Sequence, residues 1–437
     1  MNEPTPTLGK KISLAIFFAI LLLFVLNIFT PLRLNTDGIR YLNIVEYFNG
    51  NLGSNSTAAH DYLPHGYPRL LYLLGQLHLL RPTVITLLNI FSVFAACYLL
   101  GCLFEIKNKP LYFSLVMLSF ILIKHATLPV SDEVFMFLFI LSIYLWDRFF
   151  KRQRHFIILA LITTIISIYL RTAGAAIFIG VLLYLCYLKR SFFLKKKIAI
   201  AVAILLLTGI CIGLICNLTI LEKKITYVQQ LDFELIVKKP YNIIERFLIH
   251  IKEIGEVTLN IPYSKLSVLI NFHGLDIAAI LLIIVGLATL YIFYRVVKHE
   301  KLYQSLGFWI CLSYLIMIFL WPYYDARFLI PIVPVFIFTL YYHLSSLARS
   351  RFIKFIPIII YVVFGLVSML YADAISLSKP FFLTHYGFDP ALTRQYQIHF
   401  SNQKLNKAAK PVYDINKDNT LYLLEKYDLK PFHLGDK

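Results

Sequence analysis

The sequence is short of charge. Only 15% of its 437 residues are Asp, Glu, Lys or Arg, and 59% are hydrophobic. A soluble protein carries about 25% charged residues, so an ordinary water-soluble domain is excluded. The apolar residues come in blocks long enough to cross a bilayer, which takes roughly 20 helical residues each. Strict alternation of apolar and polar residues is missing from those blocks, which excludes a transmembrane barrel and leaves helices. Cysteine offers no framework either. Cys97, Cys102, Cys186, Cys211, Cys216 and Cys311 all sit in or at the ends of apolar runs. There they act as small hydrophobes, and neither a disulfide network nor a metal site is expected. The first apolar run is too long for a signal-peptide core and lacks a convincing cleavage site, so it reads as a retained helix. Internal repeats and low-complexity tracts are also absent.

What is present is a net charge of +18, and its placement matters more than its size. Lys10 and Lys11 precede the first run, and Lys107 and Lys109 follow the second. Arg148, Lys151, Arg152 and Arg154 form one cluster; Lys189, Arg190, Lys195, Lys196 and Lys197 form another. Arg295, Lys298 and Lys301, then Arg349, Arg351 and Lys354, complete the set. These clusters fall at alternate loops, the positive-inside pattern that orients helices in a membrane. The partners implied are membrane lipids, with no nucleic acid.

The fold expected is an all-α polytopic membrane protein of about 11 transmembrane helices. The spans are placed near 12–32, 83–104, 111–128, 131–149, 156–171, 173–188, 198–219, 276–297, 303–321, 328–345 and 355–372. An odd count puts the N-terminus inside and the C-terminus outside. Residues 1–372 form the transmembrane domain and 373–437 an outward-facing tail, polar and too short to bury a large core alone. The first outer loop, 33–82, holds an amphipathic segment with Ile39, Leu42, Val45 and Phe48 at helical spacing. It also holds PRLLYLLGQLHLLRP, too short to span, which reads as an interfacial or re-entrant helix. A second outer loop covers 220–275.

Nearly all residues suited to chemistry fall on that outer face. Asp37 stands just past the first span. It reads as the cap of a helix over 38–49, since Asp is a favoured N-cap, or as a catalytic carboxylate, and the two roles are compatible. Glu46, on the same segment, reads as solvated surface. HDYLPHGYPRL brings His60, Asp61, His65 and Tyr67 to a turn bracketed by Pro64 and Pro68. It lacks a third well-spaced metal ligand, so His65 and Tyr67 read as substrate contacts or as plain loop structure. Lys124, His125, Asp132 and Glu133 lie in a tight turn between two spans. Ionisable groups at membrane depth are expensive and need a partner or a function; a Lys124–Glu133 ion pair is one outcome, and site residues are the other. Arg171 ends the fifth span, and WPYYDARFLIPIVP places Tyr324, Asp325 and Arg327 at a later boundary. A guanidinium offers planar, paired donors, so Arg171 and Arg327 are candidates for holding a lipid phosphate.

In order, NTDGIRYLNIVEYF, LPHGYPRLLYLL, SDEVFMFLFILSIYLWDRF, YLRTAG and ARFLIPIVP resemble the motifs of the GT-C superfamily of integral-membrane glycosyltransferases. The nearest look is to bacterial aminoarabinose lipid A transferases and protein O-mannosyltransferases. The motifs reach from residue 12 to about 345. Asp37 departs from the paired first-loop acids of many relatives, being flanked by Thr36 and Gly38. The resemblance implies a polyprenyl-phosphate sugar donor and a lipid, glycan or protein acceptor, with Asp37 as base, acting alone or with Asp132 or Glu133. It implies a bacterial inner membrane, with the active site periplasmic or extracellular. An Arg can stabilise the phosphate without metal, and a divalent cation there is the alternative. Two other readings stand beside it: an O-antigen-type polymerase or ligase, which would rely on Arg and His of a late outer loop, and a transporter or flippase for a lipid-linked glycan, which would bind near the bilayer midplane.

Overall fold

A computed structural model describes residues 8–188, 241–272, 274–347, 351–386, 390–401 and 417–428. The described residues are helical, with one isolated β-bridge between Phe272 and Leu275. In chain order the helices are α1 (Leu8–Leu26), α2 (Thr36–Phe48), α3 (Gly66–Gln76), α4 (Pro82–Leu103), α5 (Lys109–Met117), α6 (Phe120–His125), α7 (Asp132–Phe150), α8 (Phe156–Leu170) and α9 (Ala175–Leu188). They continue with α10 (Tyr241–Leu259), α11 (Tyr263–Ile270), α12 (Ile277–His299), α13 (Leu306–Leu320), α14 (Val333–Leu347), α15 (Arg351–Leu377), α16 (Lys379–His385), α17 (Pro390–Ser401) and α18 (Lys417–Tyr427). The expected span at 198–219 and the first part of the second outer loop lie outside the described residues.

Four helical segments are long and apolar enough to cross a membrane: Lys10–Phe29, Pro82–Leu103, Ile277–His299 and Ile356–Leu377. The expected spans at 156–171, 173–188, 303–321 and 328–345 are shorter apolar helices. The expected span 111–128 is not one helix but two, α5 and α6. Ser119 takes an extended backbone at their junction (φ −63°, ψ 120°), and its amide closes a tight turn on Val116 O at 3.0 Å.

The chain forms two compact units. The first comprises residues 1–94, 107–134 and 365–437; the second comprises 95–106 and 135–364. In the first unit, α1 packs on α5. Phe17 and Phe94 both meet the ring of Phe113, and Asn108, which caps α5, donates to Ser13 Oγ at 3.1 Å. The exit of α1 is fixed by a buried polar group. Asn27 Nδ2 donates to Asp373 Oδ1 at 2.8 Å, and Ser376 Oγ donates to Asn27 Oδ1 at 2.8 Å. Arg33 donates to Thr30 Oγ1, Ala372 O and Ser376 Oγ. Burial lowers the Arg33 guanidinium to about 10, so it stays charged at neutral pH, as a group with several partners must at such a place.

The tail, too short to bury a large core alone, folds against the first loop. Helices α16, α17 and α18 fold back within the first unit. Tyr396 Oη donates to Leu32 O and accepts from Leu34 N at 2.9 Å, while Tyr386 Oη donates to Leu34 O at 2.8 Å. The extended chain leaving α1, which has no helical partner for its own backbone groups, is thus satisfied by two tail phenols. Their rings pack with Phe382 and Phe400: Phe382 stacks on Tyr386 and meets Tyr396 and Phe400 edge-on. A tail too short for its own core shares the core of the first loop.

In the second unit, α9 packs on α13 and α10 runs along α12. A Cβ added at Gly255 would fall 2.0 Å from Leu282 O, and one at Gly286 would fall 2.0 Å from Ile251 O. The α10–α12 crossing therefore needs glycine on both sides.

Candidate functional site

Helix α2 carries the first group of candidate residues. Its N-cap is Asn35 rather than Asp37: the Asn35 side chain accepts from Gly38 N at 2.7 Å. A cap must lie in extended backbone one residue before the helix, and Asn35 does, at φ −127° and ψ 179°. Asp37 is left in the first turn, where a carboxylate also meets the positive end of the helix dipole. Arg40, one turn on, lies 3.5 Å from Asp37 Oδ1. Asp61 holds Arg40 much more closely, accepting from Nε at 2.8 Å and from Nη2 at 2.6 Å. The guanidinium rests on the Tyr62 ring at 4.5 Å. Asp61 is therefore an orienting residue for Arg40. His65 packs edge-on against Phe48, and His60 is exposed.

The turn between α6 and α7 meets the same face of α2. A Cβ at Gly38 would lie 3.0 Å from Pro129 Cγ. Tyr41 Oη is 3.2 Å from Ser131 Oγ, and the Tyr41 and Tyr67 rings meet edge-on at 5.1 Å. Tyr67 is fully buried, and its hydroxyl has no hydrogen-bond partner among the described residues. Burial, then the nearby Glu133 carboxylate, pushes its phenol well above the usual range. Asp132 and Glu133 are buried in the first turn of α7, whereas Lys124 is exposed. Glu133 thus neighbours Tyr67, and a surface staple to Lys124 is not its setting. The first unit brings together Asp37, Arg40, Asp61, Tyr41, Tyr67 and Glu133. Gly38→Val is expected to lever α2 off Pro129 at a cost of about 1–3 kcal/mol. The melting temperature should fall, with Gly38→Ala between the variant and wild type.

The second group lies in the second unit. Arg171 links α8 to a short turn at Thr172–Gly174 in extended backbone. Its guanidinium lies 5.9 Å from the Phe135 ring centroid and 5.5 Å from that of Phe328. The Arg327 guanidinium lies 5.4 Å from the same Phe328 ring. Two arginines distant in sequence therefore share one aromatic platform. Asp325 caps the following turn through Arg327 N and pairs with Arg327 Nε at 3.1 Å. Tyr314 Oη donates to Phe328 O at 2.7 Å and fixes the platform's backbone. Tyr324 is 70% exposed, with the Lys252 ammonium 5.8 Å from its ring.

No protein family, curated protein or solved structure compared with this chain matches it.

Helix α10 adds residues that the sequence reading passed over. Arg246, His250, Glu253, Glu256 and Asn260 recur at helical spacing and are buried. Arg246 Nη1 donates to Leu320 O at 3.0 Å, and His250 Nε2 lies 2.9 Å from Trp321 O. A carbonyl only accepts, so Nε2 carries a proton. His250 Nδ1 is 2.7 Å from Glu253 Oε2, and one proton is shared across that contact. Burial raises the Glu253 carboxyl despite the histidine, and Asp325 adds to the rise. Glu256 is pushed up to about 7, by burial first and by Glu253 next, against the Tyr263 N–H it accepts. Among the described residues no three or more His, Cys, Asp or Glu are grouped to hold a metal.

Glu256 gives a pH prediction. Its folded carboxyl keeps a proton to higher pH than the unfolded chain, whose Glu titrates near about 4.3. The stability of α10 is therefore fullest below that value and declines as pH rises towards about 7. Amide exchange in α10, corrected for its intrinsic pH dependence, should quicken over this window. Glu256→Gln should flatten the trend.

Proposed function

We propose that this chain is an inverting glycosyltransferase of the bacterial inner membrane. It moves a sugar from a polyprenyl-phosphate donor to a lipid, glycan or protein acceptor on the outer face. The observation that carries the reading is Asp37: a carboxylate just past the first membrane-length helix, in the first turn of α2, beside an Arg40 that Asp61 orients. The basic clusters at alternate loops support an outward-facing Asp37, through the positive-inside pattern.

The chemistry is self-consistent. An acceptor hydroxyl oxygen attacks the anomeric carbon, and Asp37 takes its proton. The carbon–oxygen bond to phosphate breaks, and the lipid phosphate leaves with the electron pair. Glycosidases need two carboxylates because their leaving group is an alkoxide. Phosphate is stable as it leaves, so one base suffices. Arg171 and Arg327 supply positive charge for the developing phosphate negative charge, and a divalent cation beside it is compatible with the reading. In this reading Asp132 or Glu133 assists Asp37, His65, Tyr67 and Lys124 are substrate contacts, and so are Tyr324 and Asp325.

The test is mass spectrometry of glycolipids and glycans from a deletion strain against wild type. One missing sugar mass, restored by the gene, is the expected result. Identical profiles would remove the reading.

A further inference from the structure

Glu46 is the feature furthest from its sequence expectation. It sits on α2 nine residues after Asp37, which puts it about half a turn round the helix and about 13 Å along it. A polar residue on that face should meet water. Glu46 is instead fully buried, and tail helix α18 covers it. Lys426 Nζ lies 2.9 Å from Oε1 and 2.8 Å from Oε2. Tyr422 Oη donates to Oε2 at 2.8 Å, and Tyr427 Oη donates to Oε1. Asn51 Nδ2 adds a bond to Oε2 at 2.7 Å. One carboxylate therefore gathers four donor side chains, three of them from the tail.

Burial alone would push the Glu46 carboxyl up. Lys426, then Tyr427, Asn51 and Tyr422, outweigh it and hold the group below its ordinary value. The depressed carboxyl keeps the clamp intact above about pH 4.3, and it is lost only as pH falls through the folded value. A buried pair of this kind is poor evidence for net stability. It is good evidence for a fixed register, because a buried carboxylate tolerates only the arrangement that satisfies it. The arrangement binds the C-terminal half of α2, while Tyr386 and Tyr396 bind the chain entering it at Leu32 and Leu34. Both ends of the Asp37 helix are held by the tail.

We infer that Glu46 is a positioning residue: with Lys426, Tyr422 and Tyr427 it makes the C-terminal tail a brace that sets the register of α2, and through it the placement of Asp37. The inference rests on the glycosyltransferase reading, in which Asp37 is the base. Misplacing a catalytic group by about 1 Å can cost about 100-fold in rate without touching the substrate contacts.

The test uses full-length enzyme in detergent, selected as a monodisperse folded peak. Its donor is the polyprenyl-phosphate sugar whose mass is missing from the deletion strain. Lys426→Met is expected to lower kcat by about 10- to 100-fold with donor KM within about twofold, and Lys426→Arg to recover most of the loss. A change that only reduced the folded fraction would leave kcat per folded molecule unmoved. Should Lys426→Met not fold, Tyr422→Phe removes a single bond worth about 1 kcal/mol and should show the same split more weakly. Unchanged kcat in the folded variants, with Asp37→Asn inactive, overturns the brace alone. Full activity of Asp37→Asn overturns the functional reading, and the brace with it.

Discussion

Asp37→Asn is expected to lower sugar transfer by about 100- to 10,000-fold, the usual contribution of a positioned general base, without lowering the amount of protein in the membrane. The substitution is nearly isosteric, and the first turn of α2 does not depend on it, because the cap is Asn35. Loss of activity then reports on the carboxylate rather than on folding. Asn35→Ala is the matching control: it removes the bond to Gly38 N and should cost about 1 kcal/mol of helix stability, with the base still present. Arg40 separates two roles. Its short bonds to Asp61 and its long contact to Asp37 make it a strut rather than a counter-charge to the base. Arg40→Ala should therefore reduce kcat less than Asp37→Asn does. Full transfer by Asp37→Asn in membranes from the deletion strain would end the assignment.

Composition made the helical class and the membrane-length segments legible, because continuous apolar blocks leave few other options. The helix beginning at Asp37 was legible too, although its cap is Asn35; the contacts of Tyr41 with Ser131 and Tyr67 were not. Periodicity failed where burial came from elsewhere in the chain. The stripe of Ile39, Leu42, Val45 and Phe48 predicts a helix with one wet face, yet residues 41–46 are all buried. The tail covers the polar side, nearly 380 positions away in sequence, and no local pattern announces a partner at that range. The same limit hid α10. Arg246, His250, Glu253 and Glu256 stand at spacings of three and four in a stretch read only as outer loop, and ionisable residues are mostly exposed. What reverses the reading is that the carbonyls of Leu320 and Trp321, left over at the end of α13, need donors. Arg246 and His250 supply them. The spacing was visible in the sequence; the unmet carbonyls were not.

The Arg171 and Arg327 pair gives the second large effect. Both guanidinium groups lie within 6 Å of the Phe328 centroid, so under the proposed function one donor phosphate would meet both. Asp325 offsets Arg327 at 3.1 Å but is itself 42% exposed on its side chain, so solvent weakens that compensation. The proposed donor is a phosphodiester monoanion, which both guanidinium groups would bind. Each charge-assisted hydrogen bond contributes about 1.5–3 kcal/mol, so Arg171→Ala and Arg327→Ala should each raise donor KM by about 10- to 100-fold. If both grip one phosphate, the double variant should lose less than the product of the two, because neighbouring contacts to a shared partner are not additive. Arg327→Lys should restore charge but little of the affinity, since an ammonium cannot offer the planar fork. Phe328→Leu should weaken donor binding as well, by removing the surface on which both groups rest while leaving their charges in place. Donor KM unchanged in both alanine variants would exclude the phosphate role, and additive losses would place the two arginines on separate ligands.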